Sequence, residues 1–292
     1  MNNPKYIVVT PVKNEEAYIA FTVHSMQNQV NKPLRWVIVN DGSTDGTEGI
    51  LRKLCGGTDW IDIVNHVPER QEERKRGSKI VRAFYAGYET VRQLPHDFVV
   101  KLDGDISFEP EFFKELLTEE FGRRPRLGIS SGVSYIPDAV GGWVEEKSAK
   151  GHTLGATKVY RKRCFEEIGG LVPYIGWDGI DEIKARMLGW DAECRPDLIV
   201  RHYRPEGTAS GKLSAYYEDG EGAYFMGYHP FFMVCRGIIR MRSYPYVVGG
   251  LSMLYAYFKC YINKMERIND MPFVQFLRRE QIKKLMLRKS LV

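Results

Sequence analysis

Several features that would place a chain quickly are missing from this one. Its five cysteines, Cys55, Cys164, Cys194, Cys235 and Cys260, are odd in number and far apart, with no Cys-x-x-Cys pair. That spacing excludes a disulfide framework or a zinc site and leaves reduced thiols as the expectation. No apolar run reaches the ~20 residues that a membrane-spanning helix needs. The nearest, Val247 to Ile262, has sixteen residues and contains Lys259. Met1 to Lys5 lacks the basic segment followed by an apolar one that marks a secretory leader, so the expected location is cytoplasmic.

What is present is a chain of 292 residues, 43% hydrophobic, which is enough for one large domain with an appendage. The net charge of +5 is unevenly spread: residues 228–292 carry twelve Lys or Arg against three Asp or Glu, which leaves −4 on the first 227 residues. A basic tail on a mildly acidic body points to an anionic partner, either a membrane surface or nucleic acid. No nucleic-acid reading motif accompanies the charge, so nucleic acid is not expected.

Along the chain, Tyr6 to Thr10 is a β-branched apolar run closed by Pro11, the pattern of a first central strand. After the polar turn Lys13-Asn14-Glu15-Glu16, residues Ile19, Val23, Met26 and Val30 recur at helical spacing. A second strand, Arg35 to Val39, runs into Asn40-Asp41-Gly42-Ser43-Thr44-Asp45-Gly46-Thr47. Such a loop sets an acid, small hydroxyls and free N–H groups at a helix start, whether for capping or for a ligand. A third strand near Ile61 to Val64 leads into a mixed-charge loop, 69–76. Beyond it, Gly77-Ser78-Lys79 opens a helix in which the small residues Ala83 and Gly87 allow close approach to a sheet. The apolar run Phe98 to Leu102 then ends in Asp103-Gly104-Asp105. Two carboxylates two residues apart at the C-terminal end of a strand suit a hard divalent cation carrying a diphosphate, although Asp and Gly are also ordinary turn formers. Pro110 is placed to start a helix whose buried face is Phe112, Phe113, Leu116 and Leu117.

Three strand-then-helix units ahead of a strand ending in paired acids describe a Rossmann-like nucleotide-binding half. With Thr10-Pro11 and Asn14-Glu15, Asp41-Gly42-Ser43-Thr44-Asp45, Gly77-Ser78-Lys79 with Ala83 and Gly87, and Asp103-Gly104-Asp105 in that order, the chain resembles the inverting family 2 glycosyltransferases of bacterial polysaccharide assembly. It departs at Tyr85, where the family often has Asn. The resemblance implies an α/β GT-A fold: a Rossmann-like mixed sheet flanked by helices, with a C-terminal helical extension that is basic and aromatic. It implies a glycosyltransferase domain over 1–227, split into a nucleotide-binding half at 1–110 and an acceptor half at 111–227, followed by the extension at 228–292. Contacts to a UDP- or GDP-sugar would come from Thr10, Pro11, Asn14, Glu15, Asp41, Gly42, Ser43, Lys79, Asp103 and Gly104. Asp103 and Asp105 would tie the diphosphate to Mg²⁺ or Mn²⁺. By the same resemblance His202, at the end of the apolar run Leu198 to Val200, would complete the metal shell.

A second acidic cluster, Trp177-Asp178-Gly179-Ile180-Asp181-Glu182, precedes a helical pattern, where acids also favour a helix start. Transfer of a sugar needs a base for the acceptor hydroxyl. Asp181 is the first choice and Glu182 and Asp178 are alternatives, while Trp177 suits either a sugar platform or the core. The connection from Gly141 to Gly155 reads as a loop over the site. In the tail, Val247 to Ile262 and the basic amphipathic stretch Phe276 to Leu285 suit the inner leaflet of a membrane, where a glycan or polyprenyl-linked acceptor would be met. The alternatives are a nucleotidyltransferase, disfavoured because Pro11 to Glu16 is acidic and free of glycine, and a catalytically inactive nucleotide-sugar-binding module.

Overall fold

The computed structural model describes residues 4–66, 78–138, 140–146, 152–204 and 211–287. The charged loop 69–76, Gly77 and the last residues of the basic tail, 288–292, lie outside the described residues.

The described strands form one mixed sheet: β1 (Tyr6–Val12), β2 (Arg35–Asn40), β3 (Ile61–Asn65), β4 (Phe98–Leu102), β5 (Ile106–Phe108), β6 (Leu127–Pro137), β7 (Trp143–Glu145), β8 (Thr157–Arg161) and β9 (Asp191–His202). Their order is β3-β2-β1-β4-β8-β6-β9-β5, with β7 paired to β6. β1 is parallel to both β2 and β4, and β2 is parallel to β3. β8 turns antiparallel against β4. Pro11 lies inside β1 instead of ending it. It can do so because β4 pairs only with Tyr6 to Val9, so no ladder bond on that side needs the missing proline N–H.

Alternate residues of each central strand serve two cores. On one face Tyr6, Val8, Val100 and Leu102 pack with helices α1 (Ile19–Gln27) and α2 (Thr47–Cys55), and with Phe112, Phe113, Leu116 and Leu117. These last four lie on a helical stretch of α4 (Phe112–Lys114), a π-helical segment (Glu115–Glu120) and α5 (Phe121–Arg123). On the other face Ile7, Val9, Val37 and Val39 meet α3 (Ser78–Val91). A Cβ on Gly87 would stand 2.6 Å from Val39 Cγ2 and 2.8 Å from Val9 Cγ1, so glycine sets how close α3 lies to the sheet. Tyr85 has a scaffold role: its hydroxyl accepts from Leu171 N at 2.7 Å and donates to Leu171 O at 3.2 Å.

Short α6 (Lys162–Glu167) and then α7 (Trp177–Met187) follow β8. The chain closes with α8 (Lys212–Phe225), α9 (Pro230–Arg240), α10 (Val248–Ile262) and α11 (Met271–Met286). α11 buries Phe273, Val274 and Leu277 against Ile180 and Ile183 of α7, so the basic stretch Phe276 to Leu285 belongs to a docked helix. α8 packs on α9 and α10 through Ala223, Tyr224, Met233, Met253 and Tyr257. It therefore shares a core with the tail, although it lies ahead of the boundary expected at 227.

Candidate active site

The pairing of β5 with β9 builds the first centre. Ile106 stands opposite His202, which brings the histidine alongside Asp105. One ligand atom from each of Asp103, Asp105 and His202 lies within 4.8 Å of the others. That span suits ligands ~2.0–2.6 Å from one shared divalent ion. His202 Nε2 is 3.4 Å from Asp105 Oδ1, while its buried Nδ1 has no hydrogen-bond partner among the described residues. The two carboxylates suit Mg²⁺ or Mn²⁺ by their chemistry as well.

The carboxylates are meanwhile neutralised by the chain's own cations. Lys101, buried on β4, pairs with Asp103 and donates to the Gly155 carbonyl at 3.0 Å. Arg204 pairs with Glu15 and reaches Asp105 Oδ2 at 3.1 Å. Burial, reinforced by Asp105, pushes the Glu15 carboxyl up to about 7 despite Arg204. A divalent ion would bind in competition with Lys101 and Arg204.

The two expected nucleoside loops are laced together. Asn14, in the left-handed region at φ 56°, donates its N–H to Ser43 Oγ at 3.0 Å and accepts from Thr44 N at 2.8 Å. Glu15 N donates to Thr47 Oγ1 at 2.8 Å. Gly42 turns the second loop at φ 67°. Asp41 is buried against His66 Nδ1 at 2.9 Å. Thr10 is different: it is fully buried and its hydroxyl accepts from the Trp36 indole at 2.8 Å, so its side chain braces the strand end. Gly104 is also glycine for a packing reason, since a Cβ there would stand 2.8 Å from Val12 Cγ1. Lys79 is exposed in the first turn of α3, and no hydrogen bond or ion pair among the described residues joins it to the acidic site.

The second centre lies at the start of α7. The Asp181 side chain has no exposure; it accepts from Lys158 Nζ at 3.0 Å and from the Tyr160 hydroxyl. Burial, with Glu182 alongside, pushes its carboxyl up to about 6 against the pull of Lys158. Glu182 accepts from Thr153 N at 2.7 Å and from His152 Nδ1 at 3.1 Å. Burial opposes its ionisation, but Lys158 and His152 hold it down at about 2. Asp178 is the most exposed of the three: its side chain is 37% exposed, with His152 Nε2 3.8 Å away. Burial is outweighed by His152 and Lys158, which keep it ionised well below the usual carboxylate range.

Asp178 borders a cavity of about 920 Å³, lined also by Glu146, Gly155, Ile175, Arg186, Tyr216 and Phe232. That lies near the top of the ~300–1,000 Å³ typical of small-molecule sites. Gly155 and Glu146 connect it to the first centre: the Gly155 carbonyl takes the Lys101 hydrogen bond, and Glu146 Oε2 is 3.9 Å from His202 Nδ1.

Lys101 and Lys158, which sequence reasoning passed over, couple the two centres. They face each other in the register of β4 and β8. Like charges directly opposed destabilise a sheet; here each ammonium has its own acid, Asp103 or Asp181. Trp177 takes the core role, 9% exposed, with the two ammoniums 5.2 and 5.5 Å from its ring centroid. A single lysine in each of two apolar strands was the available signal.

His152 gives a pH dependence. Against burial, Asp178 and Glu182 raise its pKa from 6.5 to about 10. Its stabilisation is therefore complete below pH ~6.5 and is lost as pH rises through about 10. The urea midpoint of His152→Gln should fall below the parent's at pH 6.5 and converge with it toward pH 10; a gap that persists unchanged to pH 10 would contradict this charge assignment.

Comparison with known families follows the same geography. The family model "Glycosyl transferase family 2" matches residues 7–175, which hold both loops expected to bind the nucleoside and the aspartate pair. The chain belongs to this family. EpsH of Bacillus subtilis (strain 168), a family relative by name a glycosyltransferase, is 23% identical over 259 residues, covering 89% of this chain and 65% of EpsH. The 4,4'-diaponeurosporenoate glycosyltransferase of Staphylococcus aureus (strain USA300) is 25% identical over 46% of this chain and 32% of its own length. The chain thus spans less than two thirds of each of these relatives. Among solved structures, the mannosyltransferase PcManGT of Pyrobaculum calidifontis, in complex with GDP-Man and Mn²⁺, superposes with a TM-score of 0.56 at 15% identity, over 98% of this chain and 81% of that one. S. aureus TarS 1–349 in complex with UDP gives 0.54 at 13% identity, over 95% and 82%. These likenesses establish the GT-A fold for this family member.

Proposed function

We propose that the protein is an inverting, metal-dependent glycosyltransferase that moves a sugar from a UDP- or GDP-sugar to a glycan or lipid-linked acceptor in surface polysaccharide assembly. The observation that carries this is the junction of the Asp103, Asp105 and His202 cluster with a large cavity into which Asp178 opens. Family membership disfavours a nucleotidyltransferase, and the intact carboxylates speak against an inactive module.

The loops at 11–15 and 41–43 would hold the nucleoside, and Asp103, Asp105 and His202 the metal. A bound Mg²⁺ or Mn²⁺ would supply neutralising charge to the departing diphosphate. Arg204, released from Asp105, is placed to add to it. For the proton, geometry ranks before pKa. Asp181, with the more suitable pKa, is sealed behind Lys158 and Tyr160, so we assign the base to Asp178. Its carboxylate accepts the acceptor hydroxyl's proton as that oxygen attacks the anomeric carbon and the bond to phosphate breaks on the opposite face. A panel of nucleotide sugars tested with Mn²⁺ for donor hydrolysis and thermal shift examines this; no response to any UDP- or GDP-sugar would refute it.

We also propose peripheral attachment to an anionic membrane, through α10 instead of α11. Among the described residues no helix is long and apolar enough to cross a bilayer. Yet Val248, Leu251, Tyr255, Phe258 and Ile262 form a stripe at spacings of three and four, each 37–76% exposed, on a helix whose other face is buried. Exposed Arg242, Lys259 and Lys264 accompany it. An apolar stripe with cations about it complements acidic headgroups. The protein should co-sediment with phosphatidylglycerol liposomes, with at least tenfold weaker partition for Leu251→Glu/Tyr255→Glu. Equal partition of that variant would refute the surface, and a concentration-dependent dimer lost in the same variant would reassign it to a second copy.

A further inference from the structure

The cavity next to Asp178 has a cationic wall that the chemistry above does not use. It is built by Arg186 of α7, Arg236 and Arg240 one turn apart on α9, and Lys284 of α11. Arg186 pairs with Glu280 at 3.1 Å and stands 3.8 Å from Glu182, and Arg236 reaches Asp219 at 3.5 Å. Arg240 and Lys284 have no ion pair with an acid among the described residues. Arg240 Nε is buried with no hydrogen-bond partner among the described residues. Partial burial, together with Arg186 and Arg236, lowers the pKa of Lys284 against the opposing pull of Glu280 and Glu182. An unpaired guanidinium nitrogen and two cations without an ion pair are costly to keep in a recess unless an anion joins them. Arginine forks on successive helical turns match phosphate oxygens, and the two cations left without an ion pair, Arg240 and Lys284, match a phosphate dianion better than a single carboxylate.

We infer that this wall is an acceptor phosphate subsite: the substrate that receives the sugar carries a phosphate or diphosphate, held by Arg236, Arg240 and Lys284, while its hydroxyl lies at Asp178. The inference rests on the glycosyltransferase reading and narrows its acceptor class. Two sources share this chemistry, a lipid-linked diphosphate and a phosphate-bearing polymer.

The test uses the full chain in EDTA, where the donor carboxylates hold no metal to attract phosphate. Inorganic diphosphate, farnesyl diphosphate and glycerol 3-phosphate are titrated calorimetrically, with farnesol and glycerol as uncharged controls. Diphosphate should bind the parent, bind Arg240→Gln at least tenfold more weakly, and bind Asp103→Asn as it binds the parent. Should Arg240→Gln fail to fold, Lys284→Gln gives the second reading and should also weaken binding. Tighter binding of farnesyl diphosphate than of glycerol 3-phosphate would assign the lipid-linked source, and the reverse order the polymer. Equal diphosphate affinity in Arg240→Gln and the parent, or loss of binding in Asp103→Asn alone, would overturn the subsite. Donor hydrolysis with Mn²⁺ is measured on the same preparations: its absence counts against glycosyl transfer, and the EDTA titration judges the anion wall separately.

Discussion

Asp103→Asn is expected to lower sugar transfer about a thousandfold and to remove the Mn²⁺ dependence of donor binding. Asparagine is the informative substitution because of Lys101. The lysine is 2% exposed and has Asp103 and the Gly155 carbonyl as its hydrogen-bond partners. Alanine would leave that ammonium short of a counter-charge and an acceptor, mixing instability with lost function, whereas the Asn amide oxygen still accepts from it. Calorimetric titration of UDP and GDP with and without Mn²⁺, beside a transfer assay, reads both effects. Parental Mn²⁺-dependent donor binding in Asp103→Asn would take the metal role away from the aspartate pair.

The second large effect separates two neighbouring carboxylates. Asp178→Asn should keep donor affinity within about twofold and lose transfer by about 10²–10⁴, the range for removing a general base. Asp181→Asn should behave in the opposite sense. Its carboxylate and Lys158 form a fully buried pair, and breaking such a pair costs about 3–5 kcal/mol. Part of this is retained, because Lys158 still has Glu182 at 3.5 Å. The expected phenotype is a lowered melting temperature with surviving transfer per folded molecule. A fully folded, inactive Asp181→Asn beside an active Asp178→Asn would return the base to Asp181.

These two predictions show where pattern and structure part. The parallel half was legible because its signals are local: an apolar β-branched run buries itself in a central strand, a Gly-rich acidic loop caps the next helix, and small residues at 83 and 87 let α3 lie on the sheet. The aspartate pair could be placed at a strand end on the same grounds. His202 needed more, because its place beside Asp105 depends on the short strand β5, three residues long and without a turn signal of its own. Likewise β7 was hidden in a glycine-rich connection that reads as loop.

The acidic triplet before α7 was visible, but the division of labour within it was not. Residues 178, 181 and 182 share the first turns of one helix, so their side chains leave it in different directions, and only the packing of β8 decides which direction is solvent. Lys158 and Tyr160 on that strand take Asp181 into the interior, while Asp178 remains at the cavity. In the tail the charge count marked an anionic partner but not the surface. α11 uses its apolar face against α7, and α10, apolar on both sides, buries one against α8 and α9 and leaves the other exposed.

Sequence alone was therefore enough for the family, the succession of strand and helix along the nucleotide half and the presence of two acidic centres, because each of these is written in neighbouring residues. Tertiary structure decided which carboxylate is most exposed at the cavity, that Lys101 and Lys158 stand opposite each other with one acidic centre each, and that arginines from separate helices share one wall. Those outcomes depend on side chains far apart in the chain meeting in a low-dielectric interior, where a charge must find a partner or remain at the surface.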